Sequence, residues 1–230
     1  MARFTKLIQD SFQRLAPLPH QEIFLPASYA KPVGLNGQEQ TIMYNRFVRI
    51  GELGEVRSVC LQAPKIDIVN MFFFPQPSWH LPVFAMELVV LGTRPVVGVI
   101  DLLSLLPELS CQEPARKILI QTHADFPQLR QSDDPPLWYQ ACRSGLDFFV
   151  RPQEEDDLTA LGLAHLQVWE GLLTLLQAPR PLDNDIISVH RQNITAYKHH
   201  HRDNTPGLRL LQQCFGPEWT AQYLSEYLFI

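Results

Sequence analysis

Two polar side chains in this chain could do chemistry and stand where such groups are expensive: Asn70 and Glu87. Both interrupt the segment 66–106, IDIVNMFFFPQPSWHLPVFAMELVVLGTRPVVGVIDLLSLL, whose apolar runs are broken by Pro75, Pro77, Pro82, Gly92 and Pro95. Runs rich in Val, Ile and Phe and bounded by Pro and Gly predict buried strands rather than helices. A charge buried in a sheet is costly unless something uses it. A carboxylic acid among apolar neighbours has its pKa raised by desolvation, which keeps a transferable proton near neutrality. Glu87, between Phe84, Met86, Leu88 and Val89, has that setting if strand alternation turns it into a pocket. Asn70 can donate or accept a hydrogen bond without titrating. Asp101, inside the third apolar run, is expected to be structural, bonding backbone at a strand end.

The surrounding elements must place these groups. Phe4, Leu7, Ile8, Phe12 and Leu15 share one helical face, so residues 3–16 are expected to be a helix that Pro17 and Pro19 stop. Residues 21–30 read as a loop carrying FLPASYA. Residues 40–63 read as a hairpin around Gly51 and Gly54, residues 107–130 as a linker with helical potential, and GLDFFVRP at 145–152 as a further strand. Asp156 and Asp157 open a long helix through about 177, and Asp183 or Asn184 caps a second to about 200 whose inward face is Ile186, Ile187, His190, Ile194 and Tyr197. DNTPG at 203–207 breaks it, and two short helices end the chain. A helix, then many strands, then helices predicts an α+β sandwich with a largely antiparallel sheet.

Composition bounds the function. At 230 residues the chain suits one domain with a full core, spanning 1–230, and 46% apolar with 19% charged residues is ordinary for a soluble globular protein. A net charge of −5 argues against nucleic acid as the main partner. No apolar run reaches the roughly 18 residues of a spanning helix. The N-terminus is amphipathic rather than signal-like, so a cytoplasmic protein without a membrane partner is expected. Cys60, Cys111, Cys142 and Cys214 are too scattered for a zinc or iron–sulfur site or a disulfide framework. His199, His200 and His201 are adjacent, and on a helix such residues point about 100° apart, so they cannot converge on one metal ion; a solvated face or a protein-docking patch is the expectation. His80, after Trp79 in a loop, is either surface decoration or part of a pocket rim.

Four patches, in order, resemble the ferredoxin-dependent bilin reductases. IFLPASYA resembles that family's N-terminal LP loop. IDIVNMFFFPQPSWHLPVFAMELV resembles its strand–loop–strand segment, and GVIDLLSL the strand after it. RDNTPGLRLLQQCFGPEWTAQYLSEYLF resembles its C-terminal ending. The resemblance implies a three-layer α/β/α sandwich around an antiparallel sheet, no bound metal or flavin, reduced ferredoxin as external electron donor, and a monomer. It implies an oxidoreductase that reduces biliverdin or a dihydrobiliverdin to a phycobilin by single-electron transfers and directed protonation. Asn70 falls on the position held by His in the phycocyanobilin-forming branch and by Asn in the phycoerythrobilin and phytochromobilin branches. Glu87 falls on the neighbouring strand's acid, an Asp in most members. Matching RDNTPGL to the family's RDPAxGL places the second acid on Asp203, with two extra residues before Phe215; an ungapped match from Phe215 places Thr205 there.

On this resemblance Glu87 and Asp203 are the expected proton donors, and Asn70 a hydrogen-bond partner of a lactam oxygen or pyrrole N–H. Bilin propionates need cations, which Arg pairs bidentately. Arg130 resembles a family propionate-binding Arg, with Arg57, Arg143 and Arg151 as rivals and His80 at the rim. An acidic ferredoxin would dock on a basic patch, densest at 191–202. Two alternatives stay open: a bilin carrier on the same fold that does not reduce its pigment, and a related reductase of chlorophyll breakdown products.

Overall fold

Strand pairing follows chain order throughout. A computed structural model of the chain describes residues 4–32, 34, 42–63, 65–106 and 109–230, with the side chains of 109–111 not described. Residue 3 of the expected first helix, 40–41 of the hairpin and 107–108 of the helical linker lie outside the described residues. The strands are β1 (Gln21–Glu22), β2 (Ile42–Ile50), β3 (Gly54–Ala63), β4 (Ile66–Pro75), β5 (Val83–Leu91), β6 (Arg94–Leu103) and β7 (Phe148–Val150). They form one seven-stranded sheet in the order β1-β2-β3-β4-β5-β6-β7, every neighbouring pair antiparallel. Residues 21–30, read from sequence as a loop, contribute the edge strand β1 and a short helix α2 (Ala27–Ala30); a two-residue strand is too short to leave a periodic signal.

Helices cover both faces, as a half-apolar sheet requires. On one side lie α1 (Thr5–Gln13), α3 (Leu109–Asp125) and α5 (Glu155–Gln177), packed on Val69, Met71, Phe73, Phe84, Met86 and Leu88. On the other lie α2, α4 (Leu137–Gln140), α6 (Asn184–Asn204), α7 (Gly207–Phe215), α8 (Pro217–Tyr223) and a π-helical turn at Leu224–Leu228, packed on Phe72, Phe74, Val83, Ala85 and Val99. The division within β4 and β5 is the period-two alternation of strands. The described part of the architecture is the three-layer sandwich that the resemblance implied.

Two devices fix the sheet near the site. The β5–β6 hairpin turns on Gly92 and Thr93 between the paired Leu91 and Arg94, and Gly92 takes φ +62, where a side chain is strained. The ladder then slips between Val89 and Val90, opposite Pro95, which has no N–H to contribute. On the helical side, a capping box between Glu154 and Asp157 starts α5, whose Leu161 lies against Gly98 of β6. Cys60, Cys142 and Cys214 form no disulfide, and the side chain of Cys111 is outside the described ones. Among the described residues no helix is long and apolar enough to cross a membrane, and no cluster of His, Cys, Asp and Glu could hold a metal ion.

Candidate functional site

The register of β4 and β5 sets Asn70 directly opposite Glu87, and β6 sets Val99 on Glu87's other side. Directly opposed residues of an antiparallel pair project from the same face. Asn70 and Glu87 therefore stand side by side on the face that carries α4, α6 and α7. They form part of the floor of a cavity of about 770 Å³, within the ~300–1,000 Å³ typical of sites for organic ligands. Ile68, Phe72, Ala85, Val89 and Val99 complete the floor, and Trp138, Tyr139, His201, Leu210, Leu228 and Phe229 form the opposite wall. At the bulge three consecutive residues, Pro95, Val96 and Val97, all line the cavity, which a regular strand cannot do. The exposed side chains of Arg94, Arg151 and Gln153 lie at its solvent side.

No hydrogen bond or ion pair reaches the Glu87 carboxyl among the described residues, and Arg94 does not pair with it. One side of Glu87 is open to the cavity while the rest is enclosed, and this desolvation pushes its pKa up to about 7. At neutral pH it is therefore divided between a proton donor and a carboxylate. Among the described residues lining the cavity, Glu87 is the only acid.

A second buried acid sits behind the wall and holds it in place. Asp101 accepts the backbone N–H groups of Leu102 (2.7 Å) and Ser144 (2.9 Å). Asp147 accepts Tyr139 Oη–H and Arg143 Nε–H, each at 2.7 Å. Burial, and then the charge of Asp147, raise the pKa of Asp101. The two acids tie α4, and with it Trp138 and Tyr139, to the sheet. Arg143 is engaged there and does not line the main cavity.

The remaining expected residues are scattered. Asp203 is exposed, paired with Arg202 at 2.8 Å, and outside the cavity. The reason is rotational: it follows His201 by two residues, about 200° around the helix, so with His201 facing in, Asp203 faces out. Pro206 disfavours helical backbone at Thr205, which caps α6 in an extended conformation (φ −59, ψ 128) and lines the cavity. The ungapped alignment thus names the residue that reaches the site.

Of the cations, Arg151 lines the cavity. Arg57 is 2% exposed, donates to the Tyr227 carbonyl and pairs with Glu55, so it is sealed in the core beneath the C-terminal helices. Arg130 is exposed beside the buried Leu129 and does not line the cavity. His80 is held away by its loop, whose Trp79 pairs with Pro181 and whose own N–H bonds the Arg180 carbonyl (2.8 Å). The expected basic patch at 191–202 is thinner than its composition. Lys198 is buried against Glu55 and the Ile230 carbonyl, and Arg202 is matched by Asp203.

Arg94 and His201 are among the lining residues that escaped the sequence reading as site candidates. Arg94 follows a turn glycine, where sequence gives no sign of a cavity. His201 was legible: it continues the inward i, i+3, i+4 series of Ile194 and Tyr197 by one turn.

An unpartnered acid that titrates near neutrality, beside an amide in an apolar slot, can exchange a proton with a bound organic molecule. Cations at the open side can hold that molecule's anionic groups. Comparison with known proteins places the chain in a family. The model of the ferredoxin-dependent bilin reductase family matches residues 7–230. A phycocyanobilin:ferredoxin oxidoreductase of Trichodesmium erythraeum is 27% identical over 96% of this chain and 89% of its own length. A phycoerythrobilin:ferredoxin oxidoreductase of Nostoc punctiforme is 24% identical over 94% and 86%. The crystal structure of tomato phytochromobilin synthase in complex with biliverdin superposes with a TM-score of 0.88 over 98% of this chain and 82% of that one, at 15% identity. The chain belongs to the ferredoxin-dependent bilin reductase family.

Proposed function

We propose that this protein reduces an open-chain tetrapyrrole, biliverdin or a dihydrobiliverdin, to a phycobilin with electrons from reduced ferredoxin. The observation that carries this reading is the neutral-range acid Glu87 beside Asn70 on the floor of an apolar-walled cavity. Reducing one double bond takes two electrons, delivered singly, and two protons. Glu87 donates a proton to the singly reduced pigment and regains one from solvent through the open side. Asn70 bonds a lactam oxygen or pyrrole N–H and fixes which position faces the acid, without titrating. Arg151 and Arg94 take the propionates. The protein supplies orientation and protons while the pigment holds the odd electron.

A second reading, a carrier that binds pigment without reducing it, draws on one feature: Thr205 lines the cavity and Asp203 does not, which leaves Glu87 as the single acid among the described lining residues. An anaerobic absorbance time course separates the two. Purified protein is mixed with biliverdin, then given ferredoxin and a reducing system. A bound spectrum that evolves to a new product identifies a reductase, and chromatography of the product names the branch. A bound spectrum that stays fixed with both biliverdin and dihydrobiliverdin identifies the carrier. Absence of binding refutes both.

A further inference from the structure

His201 is an unusual residue to find in an apolar wall. It is 7% exposed, lines the cavity, and is boxed by aromatic rings. Tyr197 lies tilted against it with ring centroids 4.4 Å apart, Trp138 meets it edge-on at 5.7 Å and Phe72 at 6.1 Å, and Phe229 lies at 5.9 Å. Its Nε2 is enclosed without a hydrogen-bond partner, and no bond reaches Nδ1 among the described residues. Burial pulls its pKa down to about 3, with a smaller push from His200, so the ring is neutral at physiological pH. A neutral imidazole carries one donor and one acceptor. Leaving such a group buried and unsatisfied is destabilising, whereas Leu or Phe would fill the same box without that cost. The other buried histidines lie away from the cavity: His165 bonds Ser11 Oγ at 2.7 Å while its Nδ1 is enclosed without a partner, and His190 bonds the Pro77 carbonyl at 3.1 Å. His201 alone of these three joins an unpartnered ring to a cavity wall.

We propose that His201 is a substrate-contacting residue: its neutral imidazole hydrogen-bonds the polar edge of the tetrapyrrole, a lactam carbonyl or a pyrrole N–H, from the helical wall opposite Asn70 and Glu87. The inference rests on the bilin reading of the cavity and extends it to orientation. A planar pigment gripped on the floor by Asn70 and on the wall by His201 presents one fixed position to Glu87. A half-turn about the Cβ–Cγ bond exchanges which nitrogen edge faces the cavity, so the ring can meet either a donor or an acceptor.

The test compares wild type, His201→Leu and His201→Gln. Biliverdin is titrated by absorbance and thermal melting is followed without pigment. His201→Leu is expected to melt at the wild-type temperature or higher, because an apolar side chain suits the box. It is expected to bind biliverdin about tenfold more weakly, as for one lost hydrogen bond, with a shifted bound absorbance band. His201→Gln, which keeps a donor and an acceptor, is expected to restore most of the affinity and the band. In parallel, 15N-imidazole spectra of the wild type are expected to show one ring nitrogen moving when biliverdin is added, in a resonance that His201→Gln lacks. Unchanged affinity and band in His201→Leu, or a His201 ring that does not respond to pigment, overturns the proposal. Wild-type protein that binds no biliverdin overturns the bilin reading with it.

Discussion

Replacing Glu87 by Gln should change the way stability depends on pH. In the unfolded chain a glutamate titrates near its ordinary 4.5, and in the fold Glu87 titrates near 7. A raised carboxyl pKa means that the folded state favours the protonated form. Below about pH 4.5 the group is protonated in both states and costs nothing. As pH rises through this window the unfolded chain ionises first and gains relative stability, and above pH 7 the penalty is complete. At about 1.4 kcal/mol per pKa unit the plateau is on the order of 3 kcal/mol, reduced to the extent that water in the cavity screens the charge. Gln has nearly the same shape and does not titrate, so its own packing cost is constant with pH. Other titrating groups, including Asp101, are common to both proteins and cancel in the difference. The difference in stability, variant minus wild type, should therefore climb from pH 4.5 to about 7.5 and then level. At roughly 2–4 °C per kcal/mol for a chain of this size, the melting temperatures should separate by about 6–12 °C across that range. Parallel thermal melts at half-unit pH steps measure it. A difference that stays flat with pH would show that the carboxyl is not desolvated, and would remove the basis for Glu87 as a proton donor near neutrality.

In the reductase assay the same variant should bind pigment but stall turnover, with a bilin radical accumulating; unchanged product formation would exclude Glu87 from the mechanism. Asp203→Asn should leave turnover, its pH profile and the melting temperature unaltered, as for an exposed ion pair; a large loss of turnover would refute the outward placement. Arg94→Gln and Arg151→Gln should each weaken biliverdin binding several-fold and reduce its salt dependence, with little change in melting temperature; equal affinities at low and high salt in all three proteins would count against the propionate assignment. Gly54→Ala should be destabilised by about 3 kcal/mol, the upper end of the overpacking range, because a Cβ there would lie 2.4 Å from the Phe74 carbonyl oxygen and 2.6 Å from the Phe73 ring; a melting temperature like wild type would refute that packing.

Asn70 and Glu87 were legible from sequence because strand alternation is a local, period-two property: apolar runs interrupted by a polar residue, closed by Pro and Gly, define both the strands and the odd residue within them. The shared face of β4 and β5 followed from the same alternation once the two were neighbours. The long inward stripe of α5 and most of that of α6 are legible on the same ground, as a 3.6-residue period. Contacts distant in sequence decided the rest. Asp203 and Thr205 lie two residues apart, and which of them meets the cavity depends on the rotational phase of α6 when it docks and on where Pro206 stops it. Arg57 and Lys198 carry the charge expected of surface or ligand-binding residues, yet both are enclosed with Glu55 beneath chain that arrives at 227–230. Arg94 and His201 join Glu87 around one cavity only because the hairpin, α6 and the sheet close on the same space. Residue type and period fix which side of an element is apolar; only the docked fold fixes which polar group on that side finds a partner and which is left facing the ligand.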